Sequence, residues 1–338
     1  MTSTQGDLAE EELVTVVVPA RNEEAAIAEC LASIRGQDWQ NLQIIVVDGA
    51  STDATAQVVC AVSEEDPRVE IINNPHGLIP ISLNLALAQA RGRFLIRIDA
   101  HARVPADYVR IATGHLASGR WGGVGGRKDG VGITSTGRAI AAAMASPFGV
   151  GNSTYHYGTK QQTVEHIPFG AYPVALAREL GGWDEDMRVN QDFEFDFRIR
   201  TAGHDLLFDP ALHIDWESRQ TIRALYDQYY RYGRGKVKVA AKHPGSVRPR
   251  HLAAPALVVW TGLSAATLLR RSGRSATLMM APYGAGVGIA TVLTARSLER
   301  KSDAVAVPVA FLAMHFGWGL GFWRGVGDVV GRRLGATP

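Results

Sequence analysis

A chain of 338 residues has room for one large α/β domain and a smaller accessory region. Its 46% hydrophobic and 20% charged residues exclude a mainly disordered protein. A formal net charge of only +2 excludes the global basic field of a nucleic-acid binder, so no nucleic-acid partner is expected.

The N-terminus, MTSTQGDLAEEE, is acidic and polar with no apolar run before Leu13, unlike a secretory signal peptide. Residues 14–19 (VTVVVP) form a β-branched apolar run, the pattern of a strand buried on both faces. A helix is predicted over 22–35, from Ile27, Leu31 and Ile34, then a strand over 42–47 that ends on Asp48. Ser51 is placed to cap the next helix, near Asp53. A third strand (69–72), a helix (81–90) stopped by Arg91-Gly92 and a fourth strand (94–98) ending on Asp99 complete this half. Cys30 and Cys60 fall on helical segments, so no disulfide framework is expected and the catalytic part is expected to face a reducing compartment.

Strands alternating with helices imply right-handed crossovers and a mostly parallel, Rossmann-like α/β sheet. Ligands of such sheets bind beyond the carboxyl ends of the strands. Residues 20–23, 48–53 and 99–101 all lie at those ends. Further along, 122–126 reads as a glycine-rich strand-to-turn segment, 136–145 as a helix, 149–158 as an irregular loop and 168–175 as a short strand. A turn over 181–185 precedes predicted helices over 191–201 and 222–232.

Four groups in this frame carry chemistry. Asp99-Ala100-His101 places an acid and an imidazole two residues apart, one side of an extended backbone, where both can bind Mn²⁺ or Mg²⁺ and leave positions for phosphate oxygens. The competing reading is an Asp that caps the next turn beside an exposed histidine. Asp48 can accept from a base N–H or a ribose hydroxyl, while Asp53 serves as a cap. Pro19-Ala20-Arg21-Asn22-Glu23 lacks G-x-G-x-x-G, which disfavours a nicotinamide site, and the chain has no P-loop lysine motif. Asp192 and Glu194 sit at a helix start whose dipole stabilises carboxylates. There Asp192 is either a helix-end acid or a general base for an attacking hydroxyl. His76 and His166 read equally as pocket residues or as ordinary histidines.

The ordered motifs VVVPARNEE, VVDGASTDAT, ARGRFLIRIDAHA, FGAY, GGWDEDM, NQDFEFDFRIR and QYYRYGRGK resemble family 2 glycosyltransferases, which have the GT-A fold. The pattern is most similar to bacterial succinoglycan-type exopolysaccharide glucosyltransferases, which carry D-A-H in place of D-x-D. It runs over essentially the whole chain, including His315–Phe322 (HFGWGLGF). The resemblance implies a metal-dependent inverting hexosyltransferase using a UDP-sugar, with glucose the sugar it suggests. Pro19, Ala20, Arg21, Glu23 and Asp48 correspond to the nucleoside-binding set, and Asp99 to the acid contacting ribose and metal. His101 stands where the family's metal-ligating acid usually is, and an imidazole there favours Mn²⁺ over Mg²⁺. Asp192 corresponds to the acid of the E-D motif, the general base, with Gln191 in place of the usual Glu. Gln228-x-x-Arg231-Tyr232 is similar to Q-x-x-R-W, with tyrosine for tryptophan; its Arg supports the diphosphate and its aromatic residue lines the acceptor site. Gln228 and Tyr232 are the acceptor-side residues so implied; Glu194 is assigned with them, and Trp183 of GGWDE reads as partly buried near the acceptor or as a packing residue alone. The incomplete motif and short tail point to transfer of one sugar, or a short series, per acceptor.

Three apolar stretches, 252–269, 276–295 and 304–323, contain no Asp, Glu, Lys or Arg and are long enough to cross a membrane. Arg231, Arg234, Lys236, Lys238, Lys242, Arg248 and Arg250 cluster before them, which by the positive-inside rule sets the catalytic part on the cytoplasmic side of the inner (plasma) membrane. Arg270, Arg271 and Arg274 oppose that topology if the first stretch spans. The expected division is a catalytic domain (1–218), a basic, aromatic interfacial segment (219–250) and a membrane region (251–338). The acceptor is then lipid-linked or a polysaccharide, and a homo-oligomer is compatible with the reading. The rivals are a polyprenyl-phosphate hexose synthase and a non-catalytic membrane protein that binds nucleotide sugars.

Overall fold

The computed structural model describes residues 12–269 and 273–335. The acidic N-terminal segment up to residue 11, and Arg270 and Arg271 of the basic loop, lie outside the described residues. Two compact units divide the chain, Met1–Asp129 with Gly158–Trp216, and Gly130–Tyr157 with Glu217–Pro338. The third and last crossing between the units falls between Trp216 and Glu217. The assignment of 130–157 to the C-terminal unit has no counterpart in the sequence-based division.

In the first unit, strands β1 (Val14–Ala20), β2 (Leu42–Asp48), β3 (Val69–Asn73) and β4 (Phe94–Arg97) lie parallel in the order β3-β2-β1-β4. The crossovers carry α1 (Ile27–Arg35), α2 (Thr55–Glu65) and α3 (Ile79–Gln89). Every residue of β2, and every residue of β1 except Pro19, is buried, which is why both sequences are apolar without alternation. Each large aliphatic side chain so buried contributes roughly 1.5–3 kcal/mol of transfer free energy. Strand order reverses between β1 and β4, the position where open α/β sheets bind ligands.

Helix α1 starts five residues later than predicted. Residues 22–26 instead tie the loop after β1 to the loop after β2. Asn22, in the left-handed region at φ 56°, accepts from Thr52 N at 2.8 Å, and its own N–H donates to Ser51 Oγ at 3.0 Å. Ser51 is therefore not the cap of α2. The N-cap is Ala54, and Asp53, one residue before it, accepts from Thr55 N at 3.0 Å.

After β4 come β5 (Ala102–Arg103), α4 (Tyr108–Ala117) and β6 (Trp121–Val131). An excursion into the second unit carries α5 (Ser135–Met144) and α6 (Pro147–Val150). The chain returns through β7 (Gln162–Val164), β8 (Ala171–Pro173), α7 (Val174–Glu179), α8 (Gln191–Thr201) and β9 (Asp205–Glu217). The sheet continues β4-β8-β6-β9-β5, with β7 on β9, and β8 pairs antiparallel with both β4 and β6. The parallel pattern expected from the sequence thus stops at β4. Strand β9 had no sequence assignment because Asp209-Pro210 interrupts its apolar run. Helix α8 has the bounds the sequence predicted.

The second unit also holds α9 (Ile222–Lys242), α10 (Arg250–Leu269), α11 (Gly273–Ala295) and α12 (Val307–Arg333). Thr221 caps α9 by accepting from Ala224 N, and the helix runs ten residues beyond the predicted 222–232. Glycines spaced by four on α12 let it approach α9 closely. A Cβ on Gly317, Gly321 or Gly325 would sit 2.8, 2.0 or 2.8 Å from the carbonyl oxygens of Tyr226, Tyr230 and Arg234. Gly319 faces α10 instead, at Ala254.

Pro255, inside α10, has no N–H for the carbonyl of His251 four residues earlier. Trp318 Nε1 of α12 donates to that oxygen at 3.3 Å. His315 joins Tyr283 Oη at 3.0 Å and the Phe148 carbonyl at 2.9 Å. The HFGWGLGF segment is thus a packing motif for three neighbouring helices and α6.

Among the described residues two helices are long and apolar enough to cross a bilayer, Gly273–Ala295 and Lys301–Arg333. The first expected stretch lies on α10, which ends where the described residues are interrupted. One expected surface charge is not at the surface. Lys236 is 2% exposed, its ammonium donating to the Ser246 carbonyl at 3.0 Å.

Candidate active site

At the carboxyl ends of β1 and β2, three loops form the floor of a crevice. Ala20 and Asp48 are register partners at the last position of the two strands. The buried Asp48 carboxylate accepts from Ser51 N at 3.2 Å, which closes the tight turn that Gly49 opens. Gly77 approaches from the loop before α3. It adopts φ 61°, and a Cβ there would sit 2.6 Å from Arg21 Nη1 and 2.9 Å from the Gly49 carbonyl. Pro19, Ala20, Arg21, Glu23 and Asp48 are thus brought to one place, with the exposed Arg21 reaching the Gly77 carbonyl at 3.5 Å.

On the other side of β1, the end of β4 carries the acid and the imidazole. The backbone leaves the sheet at Arg97, and Ala102 N bonds Asp99 O at 2.9 Å, so Asp99-Ala100-His101 is a turn rather than the expected extended triplet. His101 Nδ1 faces Glu23 Oε1 at 3.1 Å, across the strand-order reversal. Burial pushes the imidazole down, but the hydrogen bond to Glu23 and the charge of Asp99 outweigh it, so its pKa is raised.

The third wall is the start of α8. Asp192 lies in its first turn, where the helix dipole favours a carboxylate. The link between the walls is Arg97, a residue that sequence reasoning missed. Its side chain is 4% exposed, yet its guanidinium bonds Asp192 Oδ2 through Nη1 and Asp99 Oδ1 through Nε at 3.0 Å and Nη2 at 2.9 Å. Burial opposes its charge, but the two carboxylates hold the guanidinium protonated. The only signal was an arginine inside the apolar run FLIRI.

An aromatic and cationic group surrounds this cluster. Trp216 lies 5.9 Å from the His101 ring, and Lys128 Nζ sits 3.4 Å from the Trp216 centroid and 5.0 Å from that of Phe169. Phe169 stands in the left-handed region at φ 49°, its ring 5.6 Å from the Arg97 guanidinium carbon. Lys128, Phe169 and Trp216 come from β6, the loop before β8, and β9, so only the antiparallel half of the sheet reveals them.

Two expected acceptor-side residues belong to the core. Trp183 is 2% exposed and packs on Phe195 at 4.5 Å and Tyr172 at 6.0 Å, because an indole gains most by full burial. Glu194 is fully buried and accepts from Arg198, which also donates to the carbonyls of Leu180 and Gly182. That pair braces the turn before α8. His76 is exposed, whereas His166 Nδ1 lies 2.7 Å from the buried Asp196, one helical turn beyond Asp192. In the second unit Gln228 is buried and donates to Tyr232 Oη at 3.0 Å, and Arg231 is exposed on α9.

Asp99 and His101 each keep one atom that could serve a divalent cation. Asp99 uses Oδ1 for Arg97, which leaves Oδ2. His101 turns Nδ1 to a carboxylate, as metal-bound histidines commonly do, which leaves Nε2. Among the described residues no group of three or more His, Cys, Asp or Glu forms a full cage. Two protein ligands would therefore leave the remaining positions to phosphate oxygens and water.

Comparison with known proteins agrees with this fold. The glycosyl transferase family 2 model matches residues 15–179, which hold β1 to β4, but for Val14, and the loops at their carboxyl ends, but not Asp192 on α8. The succinoglycan biosynthesis protein ExoA of Rhizobium meliloti is 30% identical over 316 residues, 91% of this chain and 93% of its own. The pre-mycofactocin glycosyltransferase of Mycobacterium tuberculosis is 26% identical over 85% of this chain and 57% of its own. Among solved structures, the mannosyltransferase PcManGT from Pyrobaculum calidifontis, in complex with GDP-Man and Mn²⁺, has the same fold. Its TM-score is 0.60 at 21% identity, covering 93% of this chain and 87% of that one. With a GT-A fold and a relative of this identity along nearly its whole length, the chain belongs to glycosyl transferase family 2.

Proposed function

We propose that the enzyme transfers a hexose from a UDP-sugar, with inversion, onto a hydroxyl of a lipid-linked or polysaccharide acceptor in exopolysaccharide or cell-envelope synthesis. The observation that carries this reading is the Arg97 fork, which holds the acid for the donor, Asp99, and the acid for the acceptor proton, Asp192, on one guanidinium. The loops around Asp48 and Arg21 bind the nucleoside. A divalent cation held by Asp99 and His101, Mn²⁺ in preference to Mg²⁺, supplies positive charge against the diphosphate. Asp192 accepts the proton of the attacking hydroxyl. Arg231 is carried over as a cation for the departing diphosphate on sequence grounds alone. The relative's role in succinoglycan biosynthesis supports an exopolysaccharide acceptor. The two long apolar helices support attachment to a membrane, and the basic residues that precede them support a cytoplasmic catalytic unit.

A donor screen tests the proposal. UDP-glucose, UDP-galactose and GDP-mannose are offered with a lipid-linked saccharide or with polyprenyl phosphate, with and without Mn²⁺, and nucleoside diphosphate release is measured. The expected result is cation-dependent release from a UDP-hexose with the saccharide acceptor. Release with polyprenyl phosphate alone would identify a polyprenyl-phosphate hexose synthase instead. No release from any donor would overturn the catalytic reading.

A further inference from the structure

We infer that Arg97 is the positioning residue for the transfer: one rigid guanidinium registers the proton-accepting carboxylate of Asp192 against the donor-holding carboxylate of Asp99. The inference rests on the proposed glycosyl transfer and assigns a role to an arginine of the ARGRFLIRIDAHA segment to which the resemblance gave none.

The chemistry of the pairing supports the assignment. Removing an arginine from water costs several kcal/mol unless its charge is matched, so a guanidinium 4% exposed needs firm partners. Arg97 has two, and both are about one-fifth exposed, open on the side away from it. It takes a single oxygen from each, Oδ1 of Asp99 and Oδ2 of Asp192. The other oxygen of each carboxylate is left for chemistry, Oδ2 on Asp99 and Oδ1 on Asp192.

The planar fork fixes the angle between its partners in a way that a lysine ammonium cannot. The guanidinium is itself fixed. Arg97 N donates to the Gly170 carbonyl at 3.2 Å, and Phe169, held at φ 49°, places its ring 5.6 Å from Cζ. A purely structural ion pair has no need to join two acids on separate elements of a ligand crevice by one oxygen each.

The step then balances. The acceptor O–H bond breaks and its proton passes to Asp192 Oδ1. The acceptor oxygen forms its bond to the anomeric carbon as the bond to the diphosphate breaks, and that electron pair leaves with the diphosphate. The groups that face Asp192 are Arg97, Asp196 one helical turn along α8, and Tyr172, whose phenol bonds Asp196 at 2.9 Å. Among these Arg97 is the cation.

The full-length enzyme is compared with Arg97→Lys and Arg97→Met, each checked for folding by near-ultraviolet circular dichroism. Affinity is measured with UDP-glucose and with GDP-mannose, and turnover is followed by diphosphate release across pH. In Arg97→Lys, turnover should fall about 100-fold, the scale of a misaligned reacting group, while nucleotide-sugar affinity changes less than threefold. In Arg97→Met, which removes the fork altogether, turnover should fall at least as far, again with affinity changed less than threefold. Undiminished turnover in Arg97→Lys, or parallel losses of affinity and turnover, would overturn the assignment. If Arg97→Met does not fold, Arg97→Lys decides it through the split between turnover and affinity. Failure of the underlying function would instead show as a wild-type enzyme that releases no diphosphate.

Discussion

Burial separates the two cysteines. Cys30 on α1 is 1% exposed, its Sγ directed at the Asp99 carbonyl at 3.4 Å, and burial, with the charge of Asp99, pushes its thiol up to about 12. Cys60 on α2 is exposed. In the folded protein a maleimide is expected to label Cys60 alone, and denaturant should add the second label. Rapid labelling of both without denaturant would contradict the packing of α1 on the sheet. The same contrast between face and core governed what the sequence could show of the site. Asp48, Asp99 and Asp192 were legible because each follows an apolar run or opens a predicted helix. Arg97 was not, since an arginine in a strand reads as an edge residue until its two carboxylates are seen. Trp183 read either as partly buried near the acceptor or as a packing residue, and Tyr172 and Phe195 enclose it as the second.

Helix packing in the second unit depends on missing side chains. At Gly321 an added methyl would fall 2.0 Å from the Tyr230 carbonyl, so either the backbones separate or α12 rotates. Gly321→Ala should lower stability by about 1–3 kcal/mol, the usual cost of overpacking, read as a lower melting temperature. Gly327, where a Cβ would meet nothing within 4 Å, is the control, and its substitution by alanine should leave the melting temperature unchanged or higher. Equal effects at the two positions would contradict the close approach of α9 and α12. At this scale β1 to β4 were legible, since period and composition suffice for strands buried on both faces. Strands β5 to β9 were not. They are short, or interrupted by Asp209-Pro210, and their pairing partners lie far away in sequence.

Across the whole molecule, the family model ends at residue 179, whereas the Rhizobium meliloti relative aligns over 91% of the chain, so the likeness extends well beyond the nucleotide-binding half. Arg231 and the glycine ladder of α12 lie in that extension. The sequence indicated the two-part character of the chain from its apolar tail. It did not show that residues 130–157 cluster with the tail, because that depends on contacts distant in sequence, such as the Arg138–Asp303 pair at 2.7 Å and the edge-on packing of Phe148 on Phe311. The central claim is that Asp192, registered by Arg97, takes the acceptor proton. Its most direct test is Asp192→Asn, with diphosphate release and UDP-sugar affinity measured on the same preparation. Turnover is expected to fall by about 10²–10⁴-fold, the contribution of a general base, with affinity kept within about threefold. Full turnover in Asp192→Asn would contradict it.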